Sequence, residues 1–302
     1  MSYEIRAMSL AEILDTGFAL LRRHFAKLAA ISSLICVPLV LFFVAYSSLL
    51  DPFGADPGEI EALGLAFVVH VAVLLLAIML TFPLVMAAIT WMIGELYLGA
   101  EVSFGGALRA GLGRFVPLFV TYVLFGLISA VLLGVVFGVL VALGVAVAAL
   151  AETLGSLGTL LLVLLVLVSL PLVLLASLLF YTISVVLPPV VVLEGTSLFV
   201  AIARTVTLVR GAMLRSVGVV LTAYLLVAVP ISGLQLLVGS FPILGTIVWG
   251  AAQAIGYAFM FSTAVVLYFD IRCRQESFDL EHLAQMVERQ APNAALPGTR
   301  RG

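Results

Sequence analysis

The chain has 302 residues, of which 64% are hydrophobic and 10% are charged, and its mean hydropathy is +1.31. Soluble domains are closer to half apolar and a quarter charged, so this composition excludes a soluble globular enzyme and a disordered chain. The formal net charge of −2 shows no basic excess of the kind that indicates nucleic-acid binding. The composition therefore predicts an all-α membrane protein that crosses the bilayer several times, with no nucleic-acid partner.

Charge-free stretches predict six membrane-spanning helices. A bilayer core of roughly 30 Å needs about 20 helical residues. The last stretch is too long for one helix, and residues 239–242 (Gly-Ser-Phe-Pro) predict its turn because Gly and Pro interrupt helices. Only Glu152 separates the third and fourth stretches, which predicts a hairpin at that residue. The charge-free stretches are residues 28–50, 62–94, 115–151, 153–193 and 216–269.

The basic residues predict the orientation of the chain. All 14 Lys and Arg fall in the N-terminal segment, in the segments after the second and fourth spans, and in the C-terminal tail. The segments on the other side carry only acidic charges. The positive-inside rule therefore predicts that both termini lie in the cytoplasm, which requires an even number of spans.

A short amphipathic pattern recurs at a spacing of 94 residues, since 103 − 9 = 94 and 197 − 103 = 94. Its copies begin at Ser9, Ser103 and Ser197, and Ser9 with Glu12 has the spacing of a capping box. Each copy places its apolar residues on one helical face. The pattern predicts three repeats, near residues 9, 103 and 197, each with a short amphipathic helix followed by two spans.

The predicted short helices have arginine-rich flanks, which suits helices that lie in the cytoplasmic headgroup layer. The alternative is that they form the cytoplasmic ends of the spans. Because the three repeats follow one another along the chain, residues 1–290 are predicted to be a single polytopic membrane domain. Residues 291–302 contain prolines, polar residues and two terminal arginines, and are predicted to be a disordered cytoplasmic tail.

Small residues recur at every fourth position in two predicted spans. This spacing allows two helix backbones to approach closely. We expect both rows to pack inside the bundle, with a homo-oligomer interface as the alternative. The rows are Gly126, Ala130, Gly134, Gly138, Ala142 and Ala146 in the third span, and Gly250, Ala254, Ala258 and Ser262 in the sixth.

No charged residue lies in the middle of a predicted span, although such residues usually mark proton or ion pathways. The polar candidates within the membrane are His70, Gln235 and Gln253. For the two glutamines an interhelical hydrogen bond is the plain interpretation, and a substrate contact is the alternative. The chain lacks the P-loop and nucleophile-elbow patterns and the histidine spacing of a metal site. We therefore predict a protein that is not an enzyme and that has no cofactor or metal.

Basic residues near the predicted cytoplasmic surface are candidates for contact with anionic lipid headgroups or with an acidic protein partner. Each such residue contributes roughly 1 kcal/mol near an anionic surface. The candidates are Arg22, Arg23, Arg109, Arg114, Arg204, Arg210 and Arg215.

Three segments of the chain, residues 9–28, 193–215 and 267–283, are similar to a known family. The most specific part is Tyr-Phe-Asp-Ile-Arg at residues 268–272, followed by Phe-Asp-Leu-Glu at 278–281. Together these segments resemble bacterial membrane proteins grouped with the membrane domain of glycerophosphoryl diester phosphodiesterase. The chain departs from the family pattern at residues 205–206, where Thr-Val replaces a Ser-Trp pair, and at residues 212–213, where Ala-Met replaces bulky aromatic residues.

The resemblance implies a membrane partner or anchor module in the bacterial cytoplasmic (inner) membrane. It does not imply a hydrolase, because the phosphodiesterase chemistry of that family belongs to a separate soluble barrel domain. Our leading hypothesis from the sequence is a non-catalytic scaffold or lipid-contacting partner. The alternative is a transporter or exporter of an apolar or lipid-like solute. A water-accessible or lipid-filled cavity between the repeats would favour that alternative, and a bundle packed solid to its centre would argue against it.

Overall fold

The computed structural model describes residues 6–47, 57–97 and 99–278, and the regular structure in this part of the chain is entirely α-helical. Six of its helices are long and apolar enough to cross a bilayer, which confirms the predicted all-α class and the number of candidate spans. The predicted tail, residues 291–302, lies outside the described residues. The helices are α1 (Leu10–Arg23), α2 (Phe25–Ser47), α3 (Pro57–Tyr97), α4 (Phe104–Leu154), α5 (Ser156–Leu193), α6 (Leu198–Gly211), α7 (Met213–Val238) and α8 (Pro242–Glu276).

Local sequence signals set several of the helix boundaries. The Ser9 hydroxyl accepts a hydrogen bond from the Glu12 N–H at 3.2 Å, and the Ser9 N–H donates to the Glu12 carboxylate at 2.6 Å, which is the predicted capping box. Ser103 caps α4 by accepting from the Gly106 N–H at 3.1 Å. The turn between α7 and α8 falls at the predicted residues 239–242. Short-range hydrogen bonding is therefore sufficient to place these ends.

The hairpin between α4 and α5 turns later than we predicted. Its turn is at Gly155, where φ is +56°, and Glu152 lies within α4. A backbone with positive φ favours glycine because glycine lacks a Cβ. The turn is thus decided by the residue that can adopt this conformation and not by the nearest charge.

The second of the three predicted short helices does not exist as a separate element. The α4 helix runs without a break from Phe104 to Leu154, and Pro117 lies inside it. The Thr121 hydroxyl donates to the Pro117 carbonyl at 2.6 Å. By contrast, α1 and α6 are separate helices because His24 and Ala212 leave the helical conformation at their ends.

The centre of the bundle is α8. Most of its apolar stretch is buried, and it packs against α1, α2, α3, α5 and α7. Its row of small residues faces inward, since Ala254, Ala258 and Ser262 are buried and a side chain at Gly250 would collide with Val40 of α2. The prediction that this row packs inside the bundle is confirmed.

The corresponding row on α4 faces outward. A Cβ atom at Gly126, Gly134 or Gly138 would meet no atom within 4 Å. The prediction of internal packing is therefore wrong for this helix, whose outer half contacts α5 and otherwise presents apolar side chains to the surroundings. Periodicity identifies a stripe of small residues, but it does not say which neighbour the stripe faces.

Candidate functional site

Four spans each contribute a tyrosine to one cavity of about 430 Å³. The tyrosines are Tyr122 of α4, Tyr181 of α5, Tyr224 of α7 and Tyr257 of α8, and we call this space the tyrosine cavity. Phenylalanine and methionine side chains from α3 and α8 and aliphatic side chains from α5 and α7 also line it. The lining is therefore mainly apolar and aromatic, with hydroxyl groups at a few positions.

The rings of the tyrosine cavity are held by contacts with one another and with the backbone. The Tyr122 hydroxyl donates to the Ser184 carbonyl of α5. Tyr181 and Tyr224 meet edge to face, with ring centroids 6.0 Å apart, and both remain partly exposed. Tyr257 stacks on Phe261 at 6.0 Å. The exposed pair forms a side opening of the cavity between α5 and α7.

The tyrosine cavity lies well inside the membrane-spanning part of the bundle. Tyr122 is eight positions from Arg114 along α4, and Tyr257 is 13 positions from Asp270 along α8. At 1.5 Å per residue, these separations are roughly 12 to 20 Å from the arginine-rich end. In a hydrocarbon core of roughly 30 Å, that depth is close to the middle.

A second cavity, of about 590 Å³, lies at the arginine-rich end of the same region. Its lining includes Trp91 and Glu95 of α3, Arg114 of α4, and Tyr268 and Arg272 of α8. We call it the vestibule. On α3, α4, α5 and α8 its nearest lining residues, Trp91, Arg114, Val192 and Tyr268, lie 5 to 8 positions from the nearest residues of the tyrosine cavity, Met86, Tyr122, Val185 and Phe261.

A layer of apolar side chains separates the two cavities. It contains Ile89 of α3, Leu118 of α4, Leu187 of α5 and Val265 of α8, each with no exposed surface. All four belong to the same buried hydrophobic cluster. The cavities are therefore stacked along four shared helices with a closed layer between them.

The three polar residues predicted within the membrane have different surroundings. Gln253 lines the tyrosine cavity and lies within hydrogen-bonding reach of Tyr257, one turn further along α8. Gln235 is exposed near the end of α7, and His70 is exposed on α3. Of the three, Gln253 is the one that the fold brings to the tyrosine cavity.

The seven candidate arginines fall into two groups. Exposed side chains belong to Arg22, Arg23, Arg109, Arg114 and Arg210, and Arg114 also lines the vestibule. The remaining two, Arg204 and Arg215, form ion pairs inside the protein. Their charges are balanced by neighbouring carboxylates, so these two arginines differ from the five that are exposed.

Arg204 belongs to a cluster that joins α5, α6 and α8. Its Nε lies 3.1 Å from a carboxylate oxygen of Glu194, and its Nη2 pairs with Glu276. The hydrogen bond to Glu194 raises the pKa of Arg204. Glu194 also accepts from the Tyr268 hydroxyl at 2.9 Å, and Glu276 pairs with Arg272 at 2.8 Å. This cluster fixes the wall of the vestibule that α8 provides.

The sequence interpretation missed the tyrosines, because they are far apart in the chain and have no shared spacing. The one available signal was that each is a tyrosine within a predicted span, and this signal does not show which of them meet. Comparisons with protein-family models, curated proteins and solved structures find no match to this chain.

Proposed function

We propose that this protein is a non-catalytic transporter or exporter of an apolar or lipid-like solute, and that the tyrosine cavity is its binding site. The observation that carries the proposal is the convergence of Tyr122, Tyr181, Tyr224 and Tyr257, from four different candidate spans, on one space. The volume of about 430 Å³ lies within the roughly 300–1,000 Å³ typical of small-molecule pockets.

The chemistry of the lining supports an amphiphilic ligand. Aromatic rings offer large apolar surfaces, and tyrosine hydroxyls can also form hydrogen bonds. Gln253 and Ser232 add further polar groups to the wall. The lining contains no charged side chain, so the part of the solute that enters is expected to be neutral and mainly apolar.

The orientation and the repeats form part of the same proposal. We infer that both termini are cytoplasmic, because all lysines and arginines fall on segments that an even number of spans connects. The helices that follow the three serines begin at Leu10, Phe104 and Leu198, and this 94-residue spacing supports a threefold repeat. The family resemblance adds the bacterial inner membrane as the proposed location.

Native mass spectrometry of the protein, released gently from its own membrane, tests the proposal. We expect a bound apolar or lipid-like molecule at fixed stoichiometry. Ala228→Phe adds a ring to the wall of the tyrosine cavity and should remove that molecule. Leu236→Phe, at a position of α7 that is 87% exposed, is the matched control and should retain it. Retention by the Ala228→Phe variant would contradict the assigned site.

The exposed arginines favour a second function, that of a scaffold or accessory protein that contacts anionic headgroups, a protein partner or another copy of itself. Arg22 and Arg23 lie in the last turn of α1 and are exposed, whereas Ile13 and Leu20 of the same helix are buried. Replacing both arginines with Gln should weaken contact with anionic lipid. Unchanged lipid contact would argue against this role, whereas a co-purifying protein without a bound solute would favour it over transport.

A further inference from the structure

We propose that the vestibule binds a lipid headgroup that carries both a primary ammonium and a phosphate, with Arg114 contacting the phosphate and Glu95 the ammonium. This inference deepens the proposed function, because it assumes that the solute is lipid-like. The supporting observation is that two opposite charges line one cavity of about 590 Å³ with neither paired to the other.

Arg114 provides the anion-binding group. Its guanidinium lies beside the backbone of Gly195, since a Cβ there would be 3.4 Å from Nη1. Within the described part of the chain, its side chain has neither a hydrogen bond nor an ion pair with another residue. A guanidinium presents a fork of donors that matches phosphate oxygens. Arg114 is therefore available to a ligand that enters the vestibule.

The charge of Arg272, the other arginine of the vestibule, is already balanced by carboxylates of the protein. Arg272 Nε lies 2.8 Å from Glu276 and 4.0 Å from Glu194, and its guanidinium carbon lies 4.2 Å from the ring centre of Phe278. These contacts hold Arg272 against the wall. The net positive charge that the vestibule offers to a ligand therefore comes from Arg114.

Glu95 provides the cation-binding group. It is half-buried at the inner end of α3, and its side chain has no hydrogen bond or ion pair among the residues that the structure describes. Burying part of an unpaired carboxylate is costly, and a ligand cation would offset that cost. A primary ammonium suits this position because it has three donors and the carboxylate only accepts.

The charge pattern favours a zwitterionic headgroup over a purely anionic one. An anionic headgroup would gain Arg114 but would bring negative charge towards Glu95, with Glu194 and Glu276 nearby. A quaternary ammonium would lack the N–H donors that Glu95 can accept. The vestibule also lies at the arginine-rich end of the spans, which is the level at which headgroups are expected.

The test measures retained lipid by native mass spectrometry after exchange into mixed micelles of phosphatidylethanolamine, phosphatidylglycerol and phosphatidylcholine at equal amounts. We expect phosphatidylethanolamine to exceed each competitor by about tenfold, the effect of one charge-assisted hydrogen bond. Glu95→Gln should abolish this preference. Arg114→Gln should lower phosphatidylethanolamine retention by about tenfold. Unchanged thermal melting of both variants would show that they fold.

Two matched controls separate the vestibule from general surface charge. Arg109 lies on the same helix as Arg114 and is exposed outside the vestibule, and Glu101 is an exposed carboxylate outside it. Arg109→Gln and Glu101→Gln should keep the lipid preference within about twofold, as expected for exposed charges. Equal loss in the controls, or equal retention of the three lipids by the wild type, would overturn the proposal.

Two further measurements identify the source of the headgroup and distinguish failure of the headgroup site from failure of the transport proposal. Free phosphoethanolamine should not displace the lipid, and displacement by it at equal concentration would overturn the lipid assignment. In the wild-type protein, the absence of a bound apolar or lipid-like molecule together with an intact preference for phosphatidylethanolamine would contradict the transport proposal alone. Equal retention of the three lipids by the wild type, with that molecule still bound, would overturn the headgroup site alone.

Discussion

Arg215 of α7 and Asp270 of α8 form an ion pair in which Nε lies 2.7 Å from Oδ2, although 55 residues separate them in the chain. The Asp270 carboxylate is fully buried and also accepts from the Met8 N–H at 2.7 Å. Arg274, one turn further along α8, contacts the same carboxylate at 3.2 Å. A single side chain therefore connects the segment before α1 to the last two spans.

We predict that Asp270→Asn destabilises the protein by roughly 3 kcal/mol, the lower end of the range for breaking a buried ion pair, because the arginines remain partly exposed. The amide still accepts from Met8 but leaves Arg215 and Arg274 without a counter-charge. Thermal unfolding in detergent measures the change. Arg210→Gln, at an exposed position of α6, is the control and should melt like the wild type.

The contact between α1 and α8 depends on Gly17. A Cβ at this position would lie 2.5 Å from Oγ1 and 3.3 Å from Cα of Thr263, which is itself buried. We predict that Gly17→Leu separates the two helices and costs roughly 1–3 kcal/mol through overpacking. Gly105 of α4 has no atom within 4 Å of its Cβ position, so Gly105→Leu should not lower the melting temperature. Similar losses in both variants would show that the α1–α8 contact is not the cause.

The start of α1 should depend on pH. The Ser9 N–H and Arg6 both bond the Glu12 carboxylate and lower its pKa from 4.5 to about 2. Because the folded pKa is depressed, this stabilisation is present above pH 4.5 and is lost as the pH falls towards 2. The hydrogen-exchange protection of the first turn of α1, taken relative to the intrinsic exchange rate at each pH, should fall over that window. Glu12→Gln should remove the difference, and an identical pH profile in the variant would contradict it.

The loop between α5 and α6 requires glycine at residue 195, where φ is +71°. We predict that Gly195→Ala costs about 1–2 kcal/mol, the usual cost of a left-handed conformation for a residue with a Cβ. The substitution also adds an atom 3.4 Å from the Arg114 guanidinium. Chemical denaturation gives the stability change, and Gly105→Ala serves as a helical control. A Gly195→Ala variant as stable as the wild type would show that the loop can relax.

Local features of the chain were sufficient for much of the fold. The helix start at Ser9 follows from two hydrogen bonds within four residues, and the turn at 239–242 follows from Gly and Pro. Span number follows from the length of charge-free stretches, because a helix must satisfy its own backbone in lipid. The hairpin turn was misplaced because the conformation of Gly155 outweighed the charge of Glu152.

The candidate site was less predictable. Gln253 was identified as a polar residue within a span, but Tyr122, Tyr181 and Tyr224 carry no charge and follow no common spacing. Their meeting depends on how α4 packs against α3 and α5, and on how α5 and α7 pack against α8. Whether each arginine is paired also depends on packing. Arg215 forms an ion pair with Asp270, whereas Arg109 is exposed.

The sequence by itself determined the helical class, the candidate spans and the capped helix starts, because these depend on hydropathy and on hydrogen bonds between residues a few positions apart. The tertiary structure decided which rows of small residues are buried, which arginines are paired, and which side chains line the two cavities. Those outcomes depend on contacts between distant segments. Such contacts depend on how the helices pack together, and the sequence of one helix does not specify which helix packs beside it.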